Sequence, residues 1–131
     1  MNDLIKSIKL HEGFKSKPYP DPIHGWDVPT FGHGLTYITE AESEVIVRNR
    51  VEVIRDQLLR RKLVFKSLTQ DRQNALIEMA YQIGINGLMG FKKMWRAIEL
   101  MDFETAYKEA LDSRWAEQTP SRAKSVAANL I

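Results

Sequence analysis

The sequence contains no cysteine, so no disulfide can stabilise the fold. The chain therefore folds in a reducing compartment or is stable without covalent cross-links. It also lacks any apolar stretch near the roughly 20 residues that span a bilayer. Asp3, Lys6 and Lys9 interrupt the apolar residues at the N-terminus, which is unlike a secretory signal peptide. We therefore expect synthesis without a signal peptide and no stable membrane insertion.

A strong excess of charge is missing as well. Lys and Arg number 19 against 17 Asp and Glu, for a net charge of +2. Basic residues do cluster locally, which favours an anionic surface such as a bacterial wall or nucleic acid, although a solvated helix face is the more ordinary interpretation. The clusters are Arg55, Arg60, Arg61 and Lys62, and then Arg114, Arg122 and Lys124. Because no recognisable nucleic-acid-reading motif accompanies them, nucleic-acid binding is not expected.

The length and periodicity predict one mostly helical domain. A chain of 131 residues with 44% hydrophobic content can bury one core but not two large independent ones. We predict an α+β, mostly α, fold in a single domain over 1–131. Its parts are a first helix at about 2–12, a small β or irregular lobe at about 13–38, a long helix at about 39–61 and a helical lobe at about 62–131.

Local signals support these boundaries. Prolines and glycines recur between residues 17 and 36, which excludes a helix there and allows only turns and short strands. Thr39 and Glu42 have the spacing of a capping box at the start of the long helix. Thr69 and Asp102 are predicted to cap later helices, and the Thr119-Pro120 pair to start the last one. Gly84 and the Asn86-Gly87 pair are predicted to stop a helix, and Met79, Met89, Met94 and Met101 to fill the core.

Two carboxylates and a hydroxyl stand close together near the N-terminus. Glu12 closes the first helix, Asp21 lies between two prolines, and Thr30 precedes Gly32. Two acids on different local elements can be held apart across a cleft, as acid and base chemistry at a glycosidic bond requires. A surface Glu, a turn-forming Asp and a strand Thr are the ordinary alternatives.

Each of these residues has a specific predicted role. Glu12 faces the negative end of the helix dipole, which favours the protonated form that a general acid needs. The prolines beside Asp21 present its carboxylate stiffly. The hydroxyl of Thr30 is predicted to orient a water, and Gly32 to let a substrate approach the backbone.

The chain resembles the T-even phage lysozymes, glycoside hydrolase family 24. In the N-terminal part, Glu12-Gly13-Phe14, Tyr19, Asp21 and the run from Pro29 to Gly34 are similar to the family's catalytic segment. The C-terminal half matches in order and spacing through the segments 79–84, 113–115 and 118–124, together with Gly87, Gly90 and Phe91. The resemblance covers essentially the whole chain and implies a lysozyme-like fold.

The resemblance also implies a muramidase that hydrolyses the β-1,4 bond between N-acetylmuramic acid and N-acetylglucosamine in peptidoglycan, with inversion. It makes Glu12 the general acid and has Asp21 and Thr30 activate the water. Arg122 is expected to orient Glu12, and Tyr81 and Gln82 to contact sugars. No cofactor or metal is needed. We expect a monomeric endolysin that is made in the host cytoplasm and, once released, acts on periplasmic glycan strands.

The sequence departs from the family pattern in several places. Extra residues, including Trp26 and Asp27, separate Asp21 from Thr30, so Asp27 competes with Asp21 for the water-handling role and Trp26 is a candidate sugar-stacking surface. The small lobe is shortened after Gly34. Met94 and Glu109 stand where the family has smaller polar cleft residues. A non-catalytic module for wall binding or protein interaction is therefore the alternative function.

A metal site was weighed against the hydrolase hypothesis. His24 and His33 lie near Asp21 and Asp27 in the sequence, but no third ligand appears at a recognised spacing. The sequence therefore predicts no metal site.

Overall fold

The computed structural model describes residues 2–131 and divides into two compact units, Met1–Val45 and Ile46–Ile131. It has the mostly helical architecture with a small antiparallel sheet that the sequence predicts, which confirms the fold class. The first unit holds α1 (Asn2–Glu12), β1 (Lys15–Asp21), β2 (Gly25–Gly32) and the start of α2 (Glu40–Arg61). The second holds the rest of α2, then α3 (Gln70–Ile83), α4 (Ile85–Met89), α5 (Lys92–Glu99), α6 (Phe103–Leu111), α7 (Arg114–Gln118) and α8 (Pro120–Ala127). Two 3-10 helices, Leu63–Ser67 and Ala128–Leu130, complete it.

In the first unit, a glycine converts the end of α1 into the start of the hairpin. Gly13 has a φ of +70°, and its N–H donates to the Lys9 carbonyl. Strand β1 then pairs antiparallel with β2, with Tyr19 opposite Thr30 and Asp21 opposite Gly25. The register shifts between these pairs, so the ladder is bulged. The short chain between Glu12 and Thr30 therefore folds back on itself within one small unit.

A second tight turn follows β2. Phe31 and Leu35 exchange backbone hydrogen bonds of 2.8 Å each, and Gly32 and Gly34 between them have positive φ angles of +57° and +72°. Residues with a side chain rarely adopt that conformation, so both positions of this turn favour glycine.

Helix α2 begins with the predicted capping box, which is confirmed. The backbone N–H of Thr39 donates to Oε1 of Glu42 at 2.9 Å, and the N–H of Glu42 donates to Oγ1 of Thr39 at 3.2 Å. These reciprocal bonds satisfy donors that the first helical turn leaves open. The backbone N–H of Thr39 and, to a lesser extent, its hydroxyl lower the pKa of Glu42, because they stabilise its ionised form.

The second unit is built around one apolar core. Trp95 and Trp115 are buried, and the indole Nε1 of Trp95 donates to the carbonyl of Leu88 at 3.0 Å. Further core side chains come from every helix of the unit, among them Leu58, Phe65, Leu76, Met79, Met94, Ile98, Val126 and Leu130. Trp95 and Trp115 are thus residues of the core rather than of the surface.

The predicted caps of two helices in this unit and the predicted start of the last helix are confirmed. Thr69 accepts a hydrogen bond from the N–H of Arg72, Asp102 accepts one from the N–H of Thr105, and Pro120 stands at the first position of α8. Gly84 ends α3 at a φ of +84°. The prediction that Asn86-Gly87 also acts as a stop is wrong, since both residues lie inside α4, which restarts directly after Gly84.

The assignment of Met101 to the core is also wrong. Met101 is exposed and has a φ of +59°, in the left-handed region. Its N–H donates to the Ile98 carbonyl and the next N–H, of Asp102, donates to the Ala97 carbonyl. This is the hydrogen-bond pattern of a Schellman motif. The backbone geometry at the end of α5 therefore places the side chain of Met101 in solvent.

Across residues 2–131, no helix combines the length and the apolar character that crossing a membrane would require.

Candidate active site

The carboxylate of Glu12 packs directly against the backbone of Gly34. A Cβ added to Gly34 would lie 2.6 Å from the carboxyl carbon of Glu12 and in steric conflict with Oε2. The last residue of α1 and the turn after β2 therefore meet at this point. Only a glycine leaves that space open for the carboxylate. The backbone of the turn therefore limits, on one side, where the Glu12 carboxylate can lie.

Asp21 is held by its own turn. Its Oδ2 accepts hydrogen bonds from the backbone N–H groups of His24 at 2.7 Å and Ile23 at 2.8 Å. These two bonds, the one from His24 being the stronger influence, lower the pKa of the Asp21 carboxyl because they stabilise its charged form. Asp21 is therefore an ionised and fixed carboxylate at the end of β1.

Thr30 is the buried polar member of the group, with only 7% of the residue exposed. It lies on β2 opposite Tyr19, and its hydroxyl is 3.4 Å from the carbonyl of Val28, to which it donates. The donated hydrogen leaves the oxygen lone pairs as acceptors. Glu12, Asp21 and Thr30 thus all belong to the first unit, on α1, β1 and β2.

The turn that carries Gly34 is reinforced by a ring contact. Phe14, two residues after Glu12, lies against His33 with ring centroids 5.2 Å apart at 49°. At Gly32, the nearest side chain is that of Leu35, 3.2 Å from where a Cβ would stand. The space beside Gly32 is thus partly occupied by its own turn, and a role for Gly32 in substrate binding stays a prediction.

In the second unit, Tyr81 and Arg122 line the same cavity. It has a volume of about 340 Å³, with Glu78 and Asn74 also on its wall. The guanidinium Nε of Arg122 donates to Oε2 of Glu78 at 3.2 Å. Arg122 therefore has a carboxylate partner within its own unit, and the pairing of Arg122 with Glu12 stays a prediction.

Gln82 is engaged in hydrogen bonds to core-facing groups. Its Oε1 accepts from the indole Nε1 of Trp115 at 2.8 Å, and its Nε2 donates to Oγ1 of Thr119 at 3.3 Å. Thr119 in turn donates to the Trp115 carbonyl at 3.0 Å. The amide thus connects α3 to the start of α7 and of α8. Both of its polar atoms already have a hydrogen-bond partner, and the contact of Gln82 with a sugar stays a prediction.

A larger cavity of about 600 Å³ is lined by residues of α4, α5, α6 and α7 of the second unit. Met94 and Glu109 are on its wall, as are Trp115, Lys93 and Arg114. Met94 is fully buried, so it contributes a flexible apolar floor.

The residues between Asp21 and Thr30 are mostly open to solvent. Ile23 is 84% and Trp26 is 66% exposed, and Asp27 is exposed as well. Within residues 2–131, no three His, Cys, Asp or Glu side chains come together as metal ligands.

The approach of Gly34 to Glu12 is the feature of the candidate site that sequence reasoning missed. A glycine before Leu35 in a Gly-x-Gly turn signals a positive φ, but the signal does not reveal which side chain approaches it. The contact with Glu12 joins residues 22 positions apart and depends on how the hairpin folds back.

A carboxylate at a helix end, a second one on a hairpin and a helical second unit define a lysozyme-like protein. The chain belongs to the phage lysozyme family, since residues 9–128 match the family described as "Phage lysozyme".

Individual relatives agree with this assignment. The chain is 32% identical over 92 residues to "Probable T4-type lysozyme 1" of Dictyostelium discoideum, which covers 68% of this chain and 54% of that protein. It is 41% identical over 63 residues to "Pre-baseplate central spike protein Gp5" of Enterobacteria phage T4, covering 48% of this chain and 11% of that protein. "Probable T4-type lysozyme 2" of Dictyostelium discoideum is 33% identical over 63 residues, 48% of this chain and 37% of its own length. The aligned segments thus span about half of these relatives or less.

Proposed function

We propose that this protein is a muramidase that hydrolyses the β-1,4 bond between N-acetylmuramic acid and N-acetylglucosamine in bacterial peptidoglycan, and that it serves in lysis of a bacterial host. Membership of the phage lysozyme family supports the class of reaction. The observation that carries the proposal is the placement of Glu12, Asp21 and Thr30 in one compact unit, each on a different element.

Glu12 is proposed as the general acid that protonates the leaving oxygen. It is the last residue of α1. Its contact with Gly34 restricts where the carboxyl group can lie. Proton donation requires the acid within hydrogen-bond reach of the glycosidic oxygen, so a fixed carboxyl is an advantage.

Asp21 is proposed as the base that activates water, with Thr30 as its partner in orienting that water. The carboxylate of Asp21 is ionised at neutral pH, as a base must be, since hydrogen bonds from His24 and Ile23 lower its pKa below the already acidic value of 3.8. The turn that lowers the pKa also holds the carboxylate still. In an inverting glycosidase the water sits between the two carboxyl groups, which stand roughly 6.5 to 9.5 Å apart.

The decisive experiment measures reducing ends released from purified peptidoglycan. Glu12→Gln keeps the shape of the side chain but removes the acid, so we expect release to be lost while the fold is retained. The matched control is Glu40→Gln, a change of an exposed carboxylate in the same unit, which should leave release unchanged.

Two outcomes would contradict the proposal. Equal release by the wild type and Glu12→Gln would remove Glu12 from the mechanism. A wild type that sediments with walls but releases no reducing ends would instead identify a wall-binding module. Circular dichroism of each variant separates loss of chemistry from loss of structure.

The stereochemistry of the product tests the arrangement of the acids. Inversion at a β-linked sugar gives the α-anomer first, which proton NMR detects before mutarotation. A β-anomer as first product would contradict inversion and would require a carboxylate nucleophile.

A further inference from the structure

Trp26 is the solvent-exposed tryptophan of this protein. Of its three tryptophans, Trp95 is 1% and Trp115 is 5% exposed, whereas Trp26 is 66% exposed. Both buried indoles also have hydrogen-bond acceptors for their N–H groups, Leu88 O for Trp95 and Gln82 Oε1 for Trp115. Trp26 therefore differs from the other two in having no part in the core.

The position of Trp26 links it to the proposed catalytic base. It follows Gly25, which pairs with Asp21 across the hairpin, and it shares strand β2 with Thr30. Ile23, which is 84% exposed, lies in the turn between β1 and β2 and donates its N–H to the Asp21 carboxylate. Two exposed apolar side chains thus belong to the segment that holds Asp21.

Sugar rings have the chemistry that such a surface recognises. A pyranose has an apolar face of C–H groups and a rim of hydroxyls, and an indole offers a broad apolar face with a negative quadrupole that attracts C–H groups. Tryptophan loses little conformational freedom when it stacks, which is one reason that it is frequent at binding hot spots.

We infer that Trp26 stacks on a sugar ring of the glycan strand and positions the neighbouring glycosidic bond relative to Asp21. The inference rests on the proposed function and adds a substrate-positioning residue to it. The remodelled segment between Asp21 and Thr30 then compensates in part for the shortened small lobe, because it supplies a binding surface of its own.

Charge favours a glycan over a lipid surface as the occupant. The segment from Asp21 to Asp27 carries two carboxylates and no Lys or Arg. Anionic headgroups attract basic segments. An anionic leaflet would therefore repel the two carboxylates of the segment from Asp21 to Asp27. Of the two sugars of the strand, the N-acetylglucosamine ring is neutral and encounters no such repulsion.

Tryptophan fluorescence tests the stacking directly. The probe is peptide-free glycan strands, added to Glu12→Gln so that no turnover occurs. We expect emission to shift to shorter wavelength and acrylamide quenching to fall, because the accessible indole becomes covered. Trp26→Phe in the same Glu12→Gln background should show neither change. The inference would be overturned if the emission shift persisted in the variant that lacks Trp26, or if Glu12→Gln with Trp26 present showed no shift.

Kinetics provide the second test. In the otherwise unchanged enzyme, Trp26→Ala should raise KM about tenfold, equivalent to about 1.4 kcal/mol. Trp26→Phe retains an aromatic face and should recover most of that loss. Tyr37→Ala, which removes another exposed aromatic ring of the first unit, is the matched control and should leave KM unchanged.

The outcomes distinguish the two proposals. An active wild type whose KM is the same after Trp26→Ala overturns the stacking role and leaves the muramidase proposal standing. A wild type that releases no reducing ends overturns the muramidase proposal, and the fluorescence experiment then decides on sugar stacking alone. A shift with phosphatidylglycerol vesicles and none with glycan would assign Trp26 to a membrane surface and contradict the inference.

Discussion

The carboxylate of Glu12 occupies the space that a side chain at residue 34 would need. The contact joins the end of α1 to the turn after β2, where Gly34 has a φ of +72°. Gly34 therefore belongs to the candidate site although it has no reactive group. Its backbone limits where the carboxylate of Glu12, the proposed general acid, can lie.

Substitution at Gly34 should therefore reduce activity more than the backbone strain explains. Gly34→Ala adds a Cβ at positive φ and displaces the Glu12 carboxylate, so we expect both the free energy of unfolding and the rate of reducing-end release to fall. The strain alone costs roughly 1–2 kcal/mol. Denaturant unfolding and activity assays on the same preparations separate the two effects.

Gly84 provides the control for this prediction. It also has a positive φ, +84°, but a Cβ there would meet nothing within 4 Å, and it lies in the second unit. Gly84→Ala should also lose stability from strain while keeping most of its activity. Equal loss of activity in the two variants would contradict the proposed role of Gly34.

Asp21, rather than Asp27, is expected to handle the attacking water. Two backbone N–H groups hold the carboxylate of Asp21, whereas Asp27 is an exposed residue on strand β2. Asp21→Asn should lower kcat by about 10²- to 10⁴-fold, the usual contribution of a general base. Asp27→Asn should remain close to the wild type. The reverse pattern would assign the base to Asp27.

The pKa of the Asp21 carboxyl should lie below its ordinary value of 3.8, because His24 and Ile23 donate to its ionised form. The pKa is thus lower in the folded state than in the unfolded state. Ionised Asp21 then stabilises the fold above about pH 3.8, and this stabilisation is lost as the pH falls through the folded pKa. Carboxyl-carbon NMR titration of the folded and the urea-denatured chain measures both values. Coincident titrations would contradict the hydrogen bonding.

Gln82 should contribute to stability through Trp115. In Gln82→Ala the indole N–H of Trp115 loses its acceptor in a buried position, which costs about 1–3 kcal/mol. Gln118→Ala, a change at an exposed residue of α7, is the control and should have little effect. Urea unfolding of both variants gives the comparison, and an unchanged midpoint for Gln82→Ala would show that the amide does not stabilise the core.

Features encoded within a few residues could be predicted from the sequence. The capping box of Thr39 and Glu42 and the cap at Asp102 are local hydrogen-bond patterns, and the structure has both. The proline and glycine distribution likewise predicted turns and short strands in the segment that forms the hairpin.

Features that depend on tertiary contacts could not be predicted in this way. Asn86-Gly87 is a turn signal in isolation, but the pair is accommodated within α4, and Leu88 beside it is buried in the core. Met101 fits an apolar pattern, yet the Schellman bonds at the end of α5 place it in solvent. The contact of Glu12 with Gly34 requires the folded hairpin.

The most direct test of the central claim identifies the new chain end that this protein creates in peptidoglycan. A wild-type digest is reduced with borohydride and analysed by mass spectrometry, with Glu12→Gln as the control. The account predicts products that end in reduced N-acetylmuramic acid from the wild type and none from Glu12→Gln. Products that end in reduced N-acetylglucosamine, in a 1,6-anhydro sugar that water never attacked, or in no new sugar end would contradict it.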